Sequence, residues 1–106
     1  MARISYCVTA SLPDEATALE YLDWLHGGHL DGVLLGGAET AEVVRLDGDG
    51  FRIETRYCFP SRDAFASYEA GPAVALREDG RARFGPERGI AFERRVGEVV
   101  NGQITM

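Results

Sequence analysis

The feature that most constrains the fold is the order in which two periodicities alternate along the chain. In four segments, apolar and polar residues alternate with a period of two, which is typical of half-buried strands. These segments are Arg3–Ser11, Thr40–Asp47, Phe51–Phe59 and Gly89–Glu98. Apolar residues recur at helical spacing after the first and third segments. The chain is therefore expected to run strand, helix, strand, strand, helix, strand.

The first helical segment contains a glycine break. Leu19, Leu22 and Leu25 are expected to form one apolar stripe that faces the core. Gly27–Gly28 weakens or ends this helix, because each glycine in a helix interior costs about 1 kcal/mol relative to alanine. A short apolar turn at Leu30–Leu35 follows the break.

The order of elements predicts an α+β fold of the ferredoxin-like, split βαβ type. Two right-handed crossovers arrange four antiparallel strands in the order 4-1-3-2, with both helical segments on one face of the sheet. Ser61 is the expected N-cap of the second segment. We expect residues 1–100 to form one domain and residues 101–106 to be a loosely ordered tail.

Period-two alternation also divides each strand between the two faces of the sheet. The face under the helices is apolar and includes Tyr6 and Tyr57, whereas the opposite face is mixed. Its charges belong either to a solvated surface, to an ion network between the sheets of a dimer, or to a ligand site. In a dimer, Val44 and Leu46 would supply the apolar contacts. The candidate ligand-binding residues on this face are Cys7, Arg52, Glu54, Arg56, Glu93 and Arg95.

The composition excludes several classes of protein. The net charge of -6 disfavours nucleic acid as a partner, because phosphates require a basic surface. Cys7 and Cys58 form neither a CxxC pair nor a zinc-ligand spacing. The apolar runs are shorter than the roughly 18 residues of a membrane span. We therefore expect a cytoplasmic protein that has two free thiols and lies apart from membranes.

The only tryptophan and both histidines of the chain fall within Tyr21–Asp31. His29 follows the glycine break, and its imidazole titrates near neutrality, so it is the candidate catalytic acid or base. The alternative is that His29 caps the broken helix or hydrogen-bonds a neighbouring carbonyl. His26 is expected at the surface and Trp24 in the core. A metal site built from His26, His29 and Asp31 matches no ligand signature, so no metal is expected.

The stretch Tyr21–Ala41 resembles the signature of a small bacterial family of unknown function, in which a tryptophan is followed by a histidine, an aspartate and a Gly-Val-Leu-Leu-Gly run. The match continues in the same order to the last strand. It runs through Tyr57, Phe65, Tyr68, Pro72, Leu76–Arg77, Gly80, Arg83–Gly85 and Ala91–Arg94.

That family looks like the dimeric α/β-barrel superfamily, in which two ferredoxin-like subunits pack sheet to sheet. The resemblance implies a homodimer but no known activity, because this branch is uncharacterised. Relatives in fold include small monooxygenases of antibiotic biosynthesis, lactone isomerases and haem-degrading proteins. Haem-degrading members place an asparagine, a tryptophan and a histidine in the cavity. Here the only asparagine is Asn101 and Trp24 lies on the first helix, so no haem or other cofactor is expected.

Three functions follow as hypotheses. The first is a homodimer that binds a small polar or anionic molecule in the barrel between sheet and helices, near Arg52, Arg56 and Arg95. The second is a cofactor-independent enzyme, similar to a monooxygenase or an isomerase, that uses His29 as acid or base and Glu54 as a polar partner. The third is a dimer whose charged network is structural and which acts through protein contacts.

Overall fold

The sheet has the predicted strand order. The computed structural model describes residues 2–101, so the predicted tail lies outside the described residues except for Asn101. All strand pairs are antiparallel, and the order across the sheet is β2-β3-β1-β4, which is 4-1-3-2 counted from the other edge. The strands are β1 (Ile4–Leu12), β2 (Thr40–Arg45), β3 (Phe51–Phe59) and β4 (Ala91–Glu98).

Four helices lie on one face of this sheet, two in each crossover. They are α1 (Glu15–Trp24), α2 (Leu30–Leu35), α3 (Arg62–Ala70) and α4 (Pro72–Arg83). A π-helical turn, Leu25–His29, joins α1 to α2, and a 3₁₀ turn, Pro86–Arg88, leads into β4. Ser61 caps α3 as predicted, because its Oγ accepts the backbone N–H of Ala64 at 3.1 Å. The α+β ferredoxin-like fold is therefore confirmed.

The strand register confirms how the side chains divide between the two faces. Tyr6 lies opposite Tyr57 on β3 and Val96 on β4, and these residues face the helices. Cys7, the next residue, lies opposite Arg56 and Arg95. We call the face that carries Cys7, and that no helix covers, the open face.

The core differs from the prediction on α1. Leu25 is buried as expected, but Leu19 is 51% exposed. The buried positions of α1 are Thr17, Ala18 and Tyr21, so the apolar stripe is centred one residue earlier than the leucines suggested. One residue turns a helix by about 100°, and Leu19 therefore projects away from the sheet. The prediction of a Leu19, Leu22, Leu25 stripe was wrong at its first member.

None of the helices within residues 2–101 has the length and apolar character that a membrane span requires. The cytoplasmic location and the domain boundary at residue 100 stay predictions.

Candidate functional site

A cavity of about 180 Å³ lies between the sheet and the helices. It is lined by residues from β1, β3, β4, α1, α3, α4 and the π-helical turn. Half of its lining residues are aromatic, and guanidinium groups line part of it. We call it the inner cavity; its tyrosines are Tyr6, Tyr21, Tyr57 and Tyr68, and its arginines are Arg77, Arg81 and Arg94.

Tyr6 places a polarised hydroxyl group at this cavity. Its oxygen accepts one hydrogen bond from Nε of Arg94 at 3.1 Å and another from Nη2 of Arg77 at 3.4 Å. A phenol oxygen that accepts twice has its own proton left to donate. Burial acts to lower the pKa of Arg77, but the bonds to Tyr6 and Glu69 outweigh it and raise the pKa, so this guanidinium stays charged. The hydroxyl of Tyr6 is thus a donor backed by positive charge.

The other tyrosines of the cavity are neutral at ordinary pH. Burial raises the pKa of Tyr57 to about 12 and also raises the pKa values of Tyr21 and Tyr68. The rings of Tyr57 and Tyr68 contact that of Tyr6, with centroids 5.8 and 6.4 Å away, and the ring of Tyr21 contacts Trp24, with centroids 5.7 Å apart. These residues therefore form an apolar aromatic lining around the polar group at Tyr6.

His29 reaches the same cavity from the π-helical turn. Its ring stacks on Trp24, with centroids 4.1 Å apart. Its Nδ1 is buried and has no hydrogen-bond partner within residues 2–101. Burial lowers the pKa of His29 to about 4, although the negative charge of Asp79 acts to raise it. The imidazole is therefore neutral at neutral pH and has a nitrogen lone pair available to accept a proton.

The glycine break explains how His29 comes to this position. Gly28 has a φ of +142°, a conformation that side chains with a Cβ rarely adopt. The N–H of Leu30 donates to the carbonyl of Leu25, five residues back, which makes this turn π-helical. Such turns are frequent at functional sites, because the extra residue redirects the side chains beyond it.

A second, larger cavity of about 470 Å³ adjoins the first, and we call it the outer cavity. The two cavities share Trp24, His29 and Leu76, which therefore form the boundary between them. Trp24 donates its indole N–H to Oδ2 of Asp79 at 2.9 Å. The bonds from Trp24 and Arg83 lower the pKa of Asp79, so its carboxylate is ionised. Trp24 is thus a cavity wall as well as a packing residue.

His26 and Asp31, the two residues that were weighed with His29 as metal ligands, do not line the inner cavity. His26 is exposed, as predicted, and its Nδ1 donates to the carbonyl of Leu22 at 2.9 Å. Within residues 2–101, no group of three His, Cys, Asp or Glu side chains is arranged to hold a metal ion.

The structure brings three of the six predicted ligand-binding residues together, on the open face. Glu54 is only 4% exposed although no helix covers it. Its two carboxylate oxygens accept from Arg95 at 2.9 Å and from Arg56 at 3.4 Å. Arg56 also contacts Glu42 and lines a depression of about 420 Å³. We call Glu54, Arg56 and Arg95 the open-face ion cluster.

The remaining three predicted residues lie on the same face but make different contacts. Arg52 donates to the carbonyl of Asp47 at 3.4 Å, and Glu93 is exposed on β4. The Cys7 thiol lies 3.9 Å from the hydroxyl of Ser5, and both Cys7 and Cys58 are free thiols. All six residues are therefore separated from the inner cavity by the thickness of the sheet, whereas His29 lines that cavity.

Sequence reasoning missed the arginines of the inner cavity. Arg94 falls between Phe92 and Val96, at a position of the last strand that faces the helices. A charge at such a position is a signal of a polar contact on the helix-covered face: Arg94 is itself exposed, but its Nε reaches the hydroxyl of the buried Tyr6. Arg77 lies four residues after the buried Ala73 and so on the same side of α4. Its partner Tyr6 is 71 residues away, a contact that no local pattern reveals.

Similarity to solved structures supports the fold. A dimeric ferredoxin-like protein from an uncultured marine organism aligns with a TM-score of 0.74 and 15% identity over 97% of this chain and 100% of its own. A monooxygenase of Streptomyces coelicolor, solved with nanaomycin D, aligns with a TM-score of 0.75 and 18% identity over 99% of this chain and 94% of its own. A cofactor-independent oxygenase of Streptomyces nogalater aligns with a TM-score of 0.65 and 11% identity over 98% of this chain and 97% of its own.

These identities establish the fold class and no closer kinship. The chain is a ferredoxin-like α+β protein, and proteins similar to it in structure include dimers and monooxygenases. No known family model and no curated protein sequence matches the chain. Membership of the small bacterial family that the sequence resembles therefore stays a prediction.

Proposed function

We propose that this protein is a cofactor-independent oxygenase that binds a small planar aromatic molecule with an acidic phenol or enol group in the inner cavity. One observation carries the proposal: a neutral imidazole, whose Nδ1 has no hydrogen-bond partner within residues 2–101, lines the same aromatic cavity as a hydroxyl donor backed by two guanidinium groups. The similarity in fold to a cofactor-independent oxygenase supports the choice of reaction.

The cavity suits an aromatic anion. Tyrosine rings offer faces and edges against which a planar ring packs favourably. Arg77, Arg81 and Arg94 supply positive charge in a chain whose net charge is -6. The hydroxyl of Tyr6 would donate a hydrogen bond to a phenolate oxygen of the substrate, and the negative charge on that oxygen would strengthen the bond. The substrate is therefore recognised by its ring and by one ionisable oxygen.

His29 accepts the proton that the substrate loses. Its pKa of about 4 keeps it unprotonated at neutral pH. The imidazolium formed by proton transfer would be stabilised by the phenolate beside it and by the carboxylate of Asp79. Nδ1 is free of other partners within the described residues, so accepting the proton breaks no existing hydrogen bond there.

Dioxygen is the co-reactant. The substrate anion transfers one electron to O₂, and the resulting radical and superoxide combine at a ring carbon to form a peroxide. The imidazolium of His29 returns its proton to the peroxide anion, and the resulting hydroperoxide loses water together with the ring hydrogen at that carbon, which leaves a carbonyl there. Overall, one phenol with a ring C–H and one O₂ give one quinone and one water. The protein ionises the substrate and holds it, and the anion itself supplies the electrons.

A homodimer through the open faces accompanies this function. On the open face, the half-buried Val44 lies between charged neighbours. One solved protein of the same fold is named as dimeric. Analytical ultracentrifugation at micromolar concentration should show a dimer for the natural chain and a monomer for Val44→Arg, since a charge there would be buried against the partner. A natural chain that sediments as a monomer would contradict this pairing.

Oxygen uptake and binding measured side by side test the proposed function. The purified protein is incubated with phenols, hydroquinones and naphthols in an oxygen electrode, and binding of the same compounds is measured anaerobically by calorimetry. We expect uptake of O₂ with at least one compound that also binds. Binding without uptake would instead support the simple binding protein. If none of these compounds binds, both assignments to this cavity are wrong.

A further inference from the structure

The boundary between the inner and outer cavities consists of only a few side chains. Trp24, His29 and Leu76 line both cavities. The stacked rings of Trp24 and His29 supply most of the bulk of this wall. Whatever fixes the indole therefore fixes the volume that a ligand in the inner cavity can fill.

Besides the stacking on His29, a hydrogen bond, two ring contacts and one close helix approach hold the indole in place. Its N–H is bonded to Asp79 across from α1 to α4. Its ring packs against Tyr21 and Phe84, with centroid distances of 5.7 and 5.3 Å. Gly80 lets α4 approach closely, since a Cβ at Gly80 would come within 3.3 Å of the indole.

The inner and outer cavities differ in the size of ligand that each can hold. A closed apolar cavity of about 150 Å³ accommodates benzene. The inner cavity, at about 180 Å³, is thus matched to one substituted ring. Sites for larger ligands occupy roughly 300–1,000 Å³. The outer cavity alone has about 470 Å³, so the two cavities joined would fall within that range.

We infer that Trp24 is the residue that sets the size of the ligand: its indole restricts the inner cavity to compounds with a single aromatic ring, and its removal opens the site to two and three fused rings. The inference rests on the proposed function only in assuming that the ligand is aromatic and binds in the inner cavity. It concerns binding and requires no turnover.

Calorimetric titration with phenol, a naphthol and a hydroxyanthracene tests the inference. The natural protein should bind phenol about tenfold or more tightly than the naphthol, because the extra ring has no space. Trp24→Ala should reverse this preference. Trp24→Phe, which keeps an aromatic wall, should retain the natural order. Leu19→Ala, on the exposed side of the same helix, serves as the control and should change nothing.

A further variant covers the case in which Trp24→Ala does not fold, which thermal melting would reveal. Asp79→Ala removes the hydrogen bond that holds the indole but leaves its packing, and Asp79 is exposed, so folding should persist. Asp79→Ala should reduce the ratio by which the protein prefers phenol to the naphthol. The inference is overturned if the natural protein binds all three probes equally, a result that leaves the proposed function standing. It is also overturned if folded Trp24→Ala and Asp79→Ala keep the natural preference. If the natural protein binds no probe, the proposed function fails as well.

Discussion

The two faces of the sheet use polar side chains in opposite ways. On the open face, Glu54 is almost fully buried, and each of its carboxylate oxygens has an arginine partner. On the face under the helices, guanidinium groups converge on the hydroxyl of Tyr6, and Nδ1 of His29 is without a partner within residues 2–101. Polar groups that satisfy one another stabilise a structure, whereas groups with bonding capacity left beside a cavity can bind and react. The difference assigns structure to one face and chemistry to the other.

The largest effect should come from His29→Ala. Removing the base should lower turnover about 10²–10⁴-fold in the oxygen-uptake assay, while the dissociation constant of the substrate changes little. Arg52→Ala on the open face is the matched control and should keep the natural rate. If Arg52→Ala abolishes turnover and His29→Ala does not, the assignment of chemistry to the helix-covered face is reversed.

Removing the arginines of the open-face ion cluster should act on stability instead. In the double variant Arg56→Ala, Arg95→Ala, the buried carboxylate of Glu54 loses both partners. The free energy of unfolding should fall by about 2 kcal/mol, as expected for an uncompensated buried polar group. Urea unfolding measures this loss. Arg3→Ala, which breaks an exposed pair with Glu39, should cost far less. Equal losses would mean that the cluster is an ordinary surface network.

Acid should destabilise the helix-covered face through His29. The pKa of His29 is about 4 in the folded chain and about 6.5 in the unfolded chain, so between these values the unfolded state binds more protons. The contribution of the neutral His29 to the free energy of unfolding is fully present above pH 6.5 and is lost as the pH falls towards 4. The loss should be about 2 kcal/mol, because partial exposure of the ring weakens the effect. Urea unfolding at several pH values should show this loss, and His29→Gln should flatten the profile. His26→Gln should retain the natural profile.

The smallest of these effects is expected for Tyr6→Phe, which removes only the hydroxyl. Losing one hydrogen bond to the substrate anion should weaken binding about tenfold, measured by calorimetry under nitrogen. Tyr68→Phe removes a hydroxyl from the same cavity but leaves the bonds of Arg77 and Arg94 to Tyr6 intact. The affinity of this variant for the substrate should therefore stay close to the natural value. Equal losses in the two variants would show that Tyr6 has no special position.

The apolar periodicities of the sequence predicted the fold well, because each strand and helix carries such a pattern along its own length. Period-two alternation assigned Tyr6 and Cys7 to opposite faces, and the Gly27–Gly28 pair marked the π-helical turn. The exposed position of Leu19 was missed, since a stripe shifted by one residue looks similar when leucines are frequent.

The candidate site was predicted less completely, because cavities arise from contacts between distant segments. His29 was identified by its residue type and its place after a glycine break. The Tyr6 contacts with Arg77 and Arg94 join residues far apart in the sequence, and periodicity carries no information about them. The sequence left open whether Glu54 belongs to a solvated surface, an ion network or a ligand site, and its burial depends on where Arg56 and Arg95 fold over it.

The position of Trp24 also has an optical consequence. Trp24 is the only tryptophan of the chain, and its ring lies against His29 at the boundary of both cavities. Indole fluorescence from this protein therefore arises from a single place, beside the proposed base and the proposed ligand. Because a protonated imidazole in contact with an indole quenches its emission, the same signal would report both occupancy of the cavity and the charge of His29. The molecule thus contains its own reporter, which needs no label.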